Sequence, residues 1–359
     1  MKTTYYAIIS IISLLCACKG APKSVPATDS TTVTDTTTVT QPKTEPEGTP
    51  VNYSNTKVIQ KVYVTHANGA DTKQEPNAAS ATISNRTYGT QLDVIEVNKD
   101  WLGVLEYVNR KTPTGYTTRW EKVYVEKRLT GAITDIKLAA KDLNVINSLN
   151  HNDKTETYPN GKILTNYLEI ELIDKALFDE KKSTAAEFML RDTNAITKVK
   201  GVLTLPCTQK NKVYKDKPAE EENREEYNYY GQIEALNKYV VNGSYYESWD
   251  CKLVDKTTGK ETAIGDIPFV APDMKNMICI SDNPYDQTSD FEIYSINNTQ
   301  LKHVVSLSFS HWVPRIEKEN MFWSSDGYLY IPVVHSSIYW NSNENLNYDS
   351  QYIRIKIKS

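Results

Sequence analysis

The sequence lacks the short motifs that mark most catalytic, metal and nucleotide sites. Its 359 residues contain no Cys-x-x-Cys, no His-Glu-x-x-His, no Gly-x-Ser-x-Gly and no glycine-rich phosphate loop. Cysteine and histidine occur only five times each. Nothing in these patterns assigns a metal ligand, a cofactor or a catalytic centre, so we expect a protein that is not an enzyme and carries no cofactor.

Long runs of basic residues and of apolar residues are missing as well. The formal net charge is −4, and no basic cluster is long enough to neutralise a row of phosphates, which argues against a nucleic-acid partner. The apolar stretch at residues 5–15 is shorter than the roughly 20 residues that a membrane-spanning helix needs.

Tyrosine, by contrast, is abundant. There are 24 tyrosines against six phenylalanines, and tyrosine favours strands while offering a hydroxyl to a wet surface. The composition therefore predicts a β-rich protein, in which some of the aromatic rings are candidate platforms for sugars.

The N-terminus has the layout of a secretory signal. A lysine precedes the apolar stretch at residues 5–15, and the small Ala17 suits a cleavage site before Cys18. This end of the signal resembles the lipobox of bacterial lipoproteins, in the run Leu15-Cys16-Ala17-Cys18. The resemblance implies removal of residues 1–17 as a signal peptide and acylation of Cys18, which would anchor the protein to a membrane.

The residues after Cys18 bear on its destination. Lys19-Gly20 follows, whereas in lipoprotein families an acidic residue there often signals inner-membrane retention or surface export. The resemblance therefore implies the outer membrane, with the protein facing the periplasm.

Residues 18–56 predict a disordered tether. The segment is rich in threonine and interrupted by Pro42, Pro46 and Pro50, and it lacks the large apolar groups that offset the entropy of ordering. Two triplets resemble O-glycosylation sites of exported Bacteroidetes proteins, Asp29-Ser30-Thr31 and Asp35-Thr36-Thr37. A plain Thr/Pro stalk is the alternative.

Residues 57–131 predict a small barrel of short strands. The strands are expected at residues 62–66, 92–97, 101–104 and 120–125, with a tight turn at Tyr88-Gly89-Thr90. This order, with a long loop ending at Pro76, resembles the bacterial SH3 domain. The resemblance implies a domain that binds cell-wall peptides or glycan, or one that serves as a spacer.

Three aromatic residues of this domain are candidate ligand contacts: Tyr88, Trp101 and Trp120. Each is equally suited to filling a small core. The chain departs from the family pattern at Asp71-Thr72-Lys73, where the family has an Asn-Val-Arg stretch, and at residues 106–119, which insert polar chain before the closing strand.

Residues 132–359 predict a larger β-rich region with a short helix at residues 174–182. A faint repeat places an aspartate turn before a strand twice, as Pro272-Asp273-Met274-Lys275 and as Ser324-Ser325-Asp326-Gly327, and an earlier hairpin at residues 239–255 is a third candidate copy. These turns resemble those of β-propeller repeats, in which the aspartate bonds nearby backbone N–H groups. A propeller-like domain and a stack of open sheets are the alternatives.

The cysteines raise one enzymatic alternative, a cell-wall cysteine hydrolase. Asp250-Cys251 resembles the Asp-Cys pair of such peptidases, with His303 or His311 as the base. Their nucleophile begins a helix, which helps to lower the thiol pKa, whereas Cys251 stands in a strand-like run. With Cys18 acylated, at most one intrachain disulfide is available, among Cys207, Cys251 and Cys279.

The prediction is therefore a mainly β, membrane-anchored lipoprotein of the cell envelope. We expect an SH3-like barrel followed by a propeller-like or stacked-sheet domain, acting as a binding or scaffold protein with peptidoglycan as the candidate ligand.

Overall fold

The computed structural model describes residues 48–112, 115–151, 154–157, 163–218, 222–283, 288–315, 320–341, 343 and 345–358, with the backbone alone at 154–157 and 282–283. Antiparallel strands dominate this part of the chain, so the mainly β prediction is confirmed. The predicted signal peptide, Cys18 and the tether up to residue 47 lie outside the described residues. Disorder was wrongly predicted for residues 48–56, because Thr49–Pro50 forms a strand paired with residues 121–122 and Tyr53–Asn55 forms a 3-10 helix. No helix among the described residues is long and apolar enough to cross a membrane.

The first sheet is built from eight strands: β1 (Thr49–Pro50), β2 (Gln60–Val64), β3 (Ala70–Lys73), β4 (Thr82–Arg86), β5 (Gln91–Val97), β6 (Trp101–Thr112), β7 (Gly115–Glu126) and β8 (Thr130–Gly131). Their order across the sheet is β4-β3-β7-β6-β5-β2-β8, and β1 pairs with β7. In the described residues the sheet is not closed into a barrel, because its edge strands β4 and β8 do not pair. The predicted barrel is therefore not confirmed.

The inner face of this sheet buries small apolar side chains. Alternate residues of the central strands form its core, among them Val94, Leu102, Val104, Val123 and Val125. Strands β6 and β7 are longer than predicted and pair without interruption as far as Thr112 and Gly115. The segment predicted as inserted polar chain is thus a hairpin that continues the sheet.

The remaining strands form four further sheets. They are β9 (Ile146–His151), β10 (Lys154–Thr157), β11 (Leu168–Ile173), β12 (Val202–Leu205), β13 (Lys212–Lys215), β14 (Glu225–Ile233), β15 (Lys238–Tyr245), β16 (Trp249–Asp255), β17 (Glu261–Ile264), β18 (Pro268–Val270), β19 (Asn276–Asn283), β20 (Thr288–Asn297), β21 (Gln300–Phe309), β22 (Trp312–Pro314), β23 (Phe322–Trp323), β24 (Leu329–His335) and β25 (Gln351–Ile357). The strand orders are β10-β9-β21-β20-β19-β18, β11-β25-β24-β22 with β23 on β24, β14-β15-β16-β17, and β12-β13.

These sheets are layered, each sharing a core with the next. The six-stranded and five-stranded sheets share the largest core, and the six-stranded and four-stranded sheets share a second. The four-stranded and two-stranded sheets share a third. Strand β19 shows how the layers form, because Ile278 and Ile280 enter the first core while Met277 and Cys279 enter the second. Alternation therefore buries both faces of one strand.

The single α-helix among the described residues, α1 (Lys175–Lys182), covers the outer face of the five-stranded sheet. Asp174 caps it by accepting a hydrogen bond of 2.7 Å from the Leu177 N–H, which satisfies a donor of the first turn. Phe178 packs on Phe322 and Tyr330 of the sheet. The helix predicted at residues 174–182 is confirmed.

Short 3-10 helices occupy Tyr53–Asn55, Lys127–Leu129, Ile133–Asp135, Ala140–Asn144, Leu164–Asn166, Glu234–Leu236 and Ser336–Ile338. Two of them, Ile133–Asp135 and Ser336–Ile338, lie where the first sheet packs against the rest of the chain. Tyr63 of β2 packs with Ile136, Val334 and Ile338 in one small core. Residues on both sides of the domain boundary predicted at residue 131 therefore contact each other, and Gly48–Ser359 forms one compact unit.

The aspartate turns of the sequence repeat have the predicted hydrogen bond. The carboxylate of Asp273 accepts from the Lys275 N–H at 2.9 Å, and that of Asp326 accepts from the Tyr328 N–H at 3.1 Å. The two copies, β18 to β20 and β23 to β25, lie in the two sheets that share the largest core. The third candidate copy forms β15 and β16 of the four-stranded sheet.

Candidate functional site

The long hairpin of β6 and β7 carries aromatic side chains on its outer side, of which Tyr107 and Tyr116 are exposed and Trp120 is half-buried. Tyr107 and Trp120 are direct partners in the ladder and point away from the core that Val108 and Val123 enter. Tyr116 lies on the same side of β7, nearer the hairpin tip. Tyr107 is 58% exposed and Tyr116 is 72% exposed, so these rings are available to a ligand.

A fourth ring comes from the segment that leads into the sheet. Tyr53 stacks on Trp120 with ring centroids 4.4 Å apart and planes inclined by 26°, and Tyr107 lies 5.3 Å from Trp120 on a tilted plane. We call Tyr53, Tyr107, Tyr116 and Trp120 the aromatic face. Scattered exposed rings need no explanation, but rings that contact one another at the surface, as Tyr53, Trp120 and Tyr107 do, mark a candidate interaction site.

Buried charges hold the hairpin beneath this face. Glu121 is fully buried and accepts hydrogen bonds from Arg110 Nη2 at 2.6 Å and Arg119 Nε at 2.9 Å. Burial alone raises the pKa of Glu121, but the bonds from both arginines outweigh it and hold that pKa below its ordinary value. A Cβ on Gly48 would lie 1.7 Å from Glu121 Oε2, so only glycine lets the chain pass this close on its way to Tyr53.

Trp101 lies on the same outer side of the sheet but at the far end of β6. It is half-buried and does not belong to the core that its neighbour Leu102 enters. Six residues along a strand separate Trp101 from Tyr107, a distance of about 20 Å. The structure therefore brings Trp120 together with Tyr53 and Tyr107, and leaves Trp101 apart from them.

Tyr88 lies elsewhere, in the wall of a cleft. Its hydroxyl accepts a hydrogen bond of 2.7 Å from the Lys137 N–H and donates one of 3.1 Å to the Lys137 carbonyl. Its ring meets His335 edge to face, with centroids 5.4 Å apart. The predicted turn is confirmed, since Gly89 follows with a φ of 82°. Tyr88 thus joins the first sheet to the residues that follow it.

The cleft has a volume of about 600 Å³. Polar groups from several elements line it, including Thr87, Lys137, Lys141, Asp142, His311 and Ser337. This volume falls within the range of about 300–1,000 Å³ that is usual for small-molecule sites. Within the described part of the chain, no group of three or more His, Cys, Asp or Glu side chains is arranged to hold a metal ion.

His335 is the most perturbed group in the cleft. Burial lowers its pKa to about 4; the nearby Asp142 carboxylate opposes this shift and His311 adds to it. Its Nδ1 lies 2.7 Å from Ser337 Oγ and accepts from the Ser337 N–H at 3.3 Å. Because Nδ1 is an acceptor, the ring hydrogen is assigned to Nε2, and His335 is neutral at neutral pH.

Cys251 lies in the middle of β16, paired with Asn242 on one side and Ile264 on the other. Its side chain is 1% exposed, and no helix begins at this residue to lower the thiol pKa. This geometry gives no support to the hydrolase alternative. The described cysteines Cys207, Cys251 and Cys279 form no disulfide in the structure.

Several residues of the aromatic face and of the cleft could not be recognised as site residues from the sequence. The sequence placed Tyr107 in a predicted insertion and Tyr53 in the predicted tether, and only strand pairing and the 3-10 helix bring them to Trp120. The cleft joins residues far apart in the chain, such as Tyr88 and His335. Hydrophobic periodicity reports the local face of a side chain and not such a partner.

With this geometry established, known proteins offer no assignment of the chain to a family. No protein-family model matches the chain, and no curated protein or solved structure matches it.

Proposed function

We propose that this chain is a lipid-anchored cell-envelope protein that binds cell-wall glycan through the aromatic face. The observation that carries this proposal is the stack in which the exposed Tyr53 and Tyr107 flank the half-buried Trp120. The C–H face of a sugar ring packs on an aromatic ring of this kind, and its hydroxyls stay in water. The hairpin offers several rings side by side, which suits a polymer of sugars better than a single small molecule.

The sequence supports the anchor and the location. The lipobox-like run before Cys18 and the Thr/Pro-rich tether suit a protein held at the outer membrane and reaching into the periplasm. In this proposal the folded part is a binding or scaffold module without catalytic activity, and peptidoglycan is its partner.

We extend the proposal to the fold of the two regions. Residues 57–131 contain the predicted strands and the glycine turn of the bacterial SH3 resemblance, with two further strands, β3 and β4, where a long loop was predicted. The shared elements support an SH3-like origin for a sheet that is open here. The region from residue 132 is proposed as a stack of sheets and not a propeller, because its cores join successive layers.

Retention on insoluble peptidoglycan tests the binding proposal. The whole mature chain, made soluble by Cys18→Ala, is compared with the same chain carrying Trp120→Ala or Trp249→Ala. Trp249 is 51% exposed on β16, in a different sheet from the aromatic face, so it is the control for loss of an exposed tryptophan elsewhere on the chain. Loss of Trp120 is expected to weaken retention about tenfold, since losing one aromatic anchor costs more than 1 kcal/mol.

Two results would contradict the proposal. Unchanged retention of the Trp120→Ala chain, with its folding verified by near-ultraviolet circular dichroism, would remove the aromatic face as the binding site. Equal losses with Trp120→Ala and Trp249→Ala would mean that binding depends on general surface character and not on this site.

A further inference from the structure

The cleft beside Tyr88 shares no residue with the aromatic face and differs from it in chemistry. Its mouth carries Lys137 and Lys141, both exposed. Neither lysine forms an ion pair with a described residue. The one carboxylate in the lining, that of Asp142, is mostly buried. The lining therefore has two cations against one anion and favours a ligand with negative charge.

The carboxylate of Asp142 is already engaged within the protein. Its Oδ2 accepts a hydrogen bond of 2.7 Å from the Ala139 N–H, and its Oδ1 lies 3.5 Å from His311 Nδ1. That nitrogen is buried and makes no hydrogen bond in the structure. A buried ring nitrogen that forms no hydrogen bond is uncommon in native proteins, so His311 Nδ1, 3.5 Å from the Asp142 carboxylate, keeps hydrogen-bonding capacity at this end of the cleft.

Three side chains of the lining can donate hydrogen bonds to a ligand: His335, Lys137 and Lys141. The neutral His335 carries its hydrogen on Nε2, because Nδ1 is occupied by Ser337. The two lysine ammonium groups are further donors, and each charge-assisted hydrogen bond to an anion is stronger than a neutral one. The cleft is thus equipped to hold acceptor oxygens that carry negative charge.

We propose that this cleft binds a small molecule or chain end bearing one carboxylate, of about the size of a dipeptide. The excess of one positive charge in the lining matches a monoanion, whereas a phosphate dianion would meet the buried Asp142 at a larger repulsive cost. A volume of about 600 Å³ leaves room for the body of the ligand beside its carboxylate. Tyr88 acts as a positioning residue that holds the Lys137 backbone in place.

Histidine NMR on the whole mature chain tests this proposal, with Cys18→Ala for solubility and ¹³C at histidine Cε1. The probes are N-acetyl-dialanine with a free carboxylate, the same peptide as its amide, and inorganic phosphate. The acid is expected to shift the signals of His311 and His335, and the amide is not. His151 and His303 lie outside the cleft lining and serve as internal references.

Matched double variants assign the charge. Lys137→Ser with Lys141→Ser is expected to weaken binding of the acid at least about tenfold, because two charge-assisted contacts are lost. Lys99→Ser with Lys302→Ser removes the same net charge from exposed sites outside the cleft and is expected to change binding less than about twofold.

Four results would overturn the proposal: no shift with the acid at about 10 mM, which lies well above a millimolar dissociation constant; equal binding of acid and amide; preferential binding of phosphate; or equal weakening in the two double variants. None of them bears on retention by the aromatic face, so failure here is distinguishable from failure of glycan binding.

Discussion

A Cβ atom on Gly89 would lie 1.9 Å from Oγ of Ser337. The turn between β4 and β5 therefore sits directly against the 3-10 helix that follows β24. The same serine hydroxyl lies 2.7 Å from His335 Nδ1. One glycine thus lets the first sheet approach the wall of the cleft closely enough for Tyr88 to contact His335.

Gly89→Ala is expected to lower the free energy of unfolding by about 2–4 kcal/mol, since it combines a left-handed backbone with an overlap on Ser337. Chemical denaturation measures the change. Gly327 has nearly the same φ, 81°, with open space around its Cβ position, so Gly327→Ala reports the backbone cost alone. Equal losses in the two variants would contradict the close approach, and Ser337→Gly is expected to rescue part of the Gly89→Ala loss.

Glu121→Gln is expected to destabilise the protein by about 3–5 kcal/mol, because it leaves the mostly buried Arg110 without its counter-charge. Urea titration of both chains provides the measurement. Glu126 pairs with the exposed Arg128, and Glu126→Gln is the control, with an expected cost below about 1 kcal/mol. A loss at Glu121 no larger than that of the control would show that the buried network does not hold the hairpin.

The buried His335 is expected to make stability fall as the solution becomes acidic. Burial lowers its pKa to about 4 from an ordinary 6.5, so the unfolded chain binds the proton more readily than the folded one. Its contribution is fully present above pH 6.5 and declines as the pH falls towards 4, by about 2–3 kcal/mol at pH 4.5.

Denaturation at pH 7 and at pH 4.5 isolates this contribution. The difference between the two unfolding free energies is expected to be smaller in the His335→Gln chain than in the unmodified chain. The carboxylates contribute the same pH dependence in the two chains, so the change isolates His335. An identical difference in the two chains would refute the neutral, buried state of His335.

Cys18→Ala is expected to move the protein from the membrane fraction to the soluble fraction, because it removes the site of acylation. Cell fractionation followed by immunoblotting measures the distribution. Cys16→Ser is the control, since it leaves Ala17 and Cys18 in place. Tight membrane association of the Cys18→Ala chain would exclude the lipoprotein assignment.

Local patterns predicted the elements that depend on neighbours in the chain. The apolar run Met277-Ile278-Cys279-Ile280 indicated a strand, and it forms part of β19. Asp174 indicated a helix start and caps α1. The aspartate turns at Asp273 and Asp326 close as expected, because a side chain bonding its own backbone two residues on needs no distant partner.

The binding surfaces were only partly predictable. Tyr88, Trp101 and Trp120 all read as candidate contacts, yet the structure places Tyr88 in a cleft wall and separates Trp101 from Trp120 on the sheet. Alternation fixes the side of a strand to which a ring points. It does not fix which other strand or loop comes to lie beside that ring.

The sequence by itself determined that this protein is mainly β and where its α-helix, its aspartate turns and the Gly89 turn fall, because hydrogen bonds and hydrophobic alternation within short segments decide those features. The tertiary structure alone decided that the sheets form layers, that Tyr53 stacks on Trp120, and that His335 is buried beside Tyr88. These relationships join distant segments, and they arise because each sheet must cover its apolar faces with another layer.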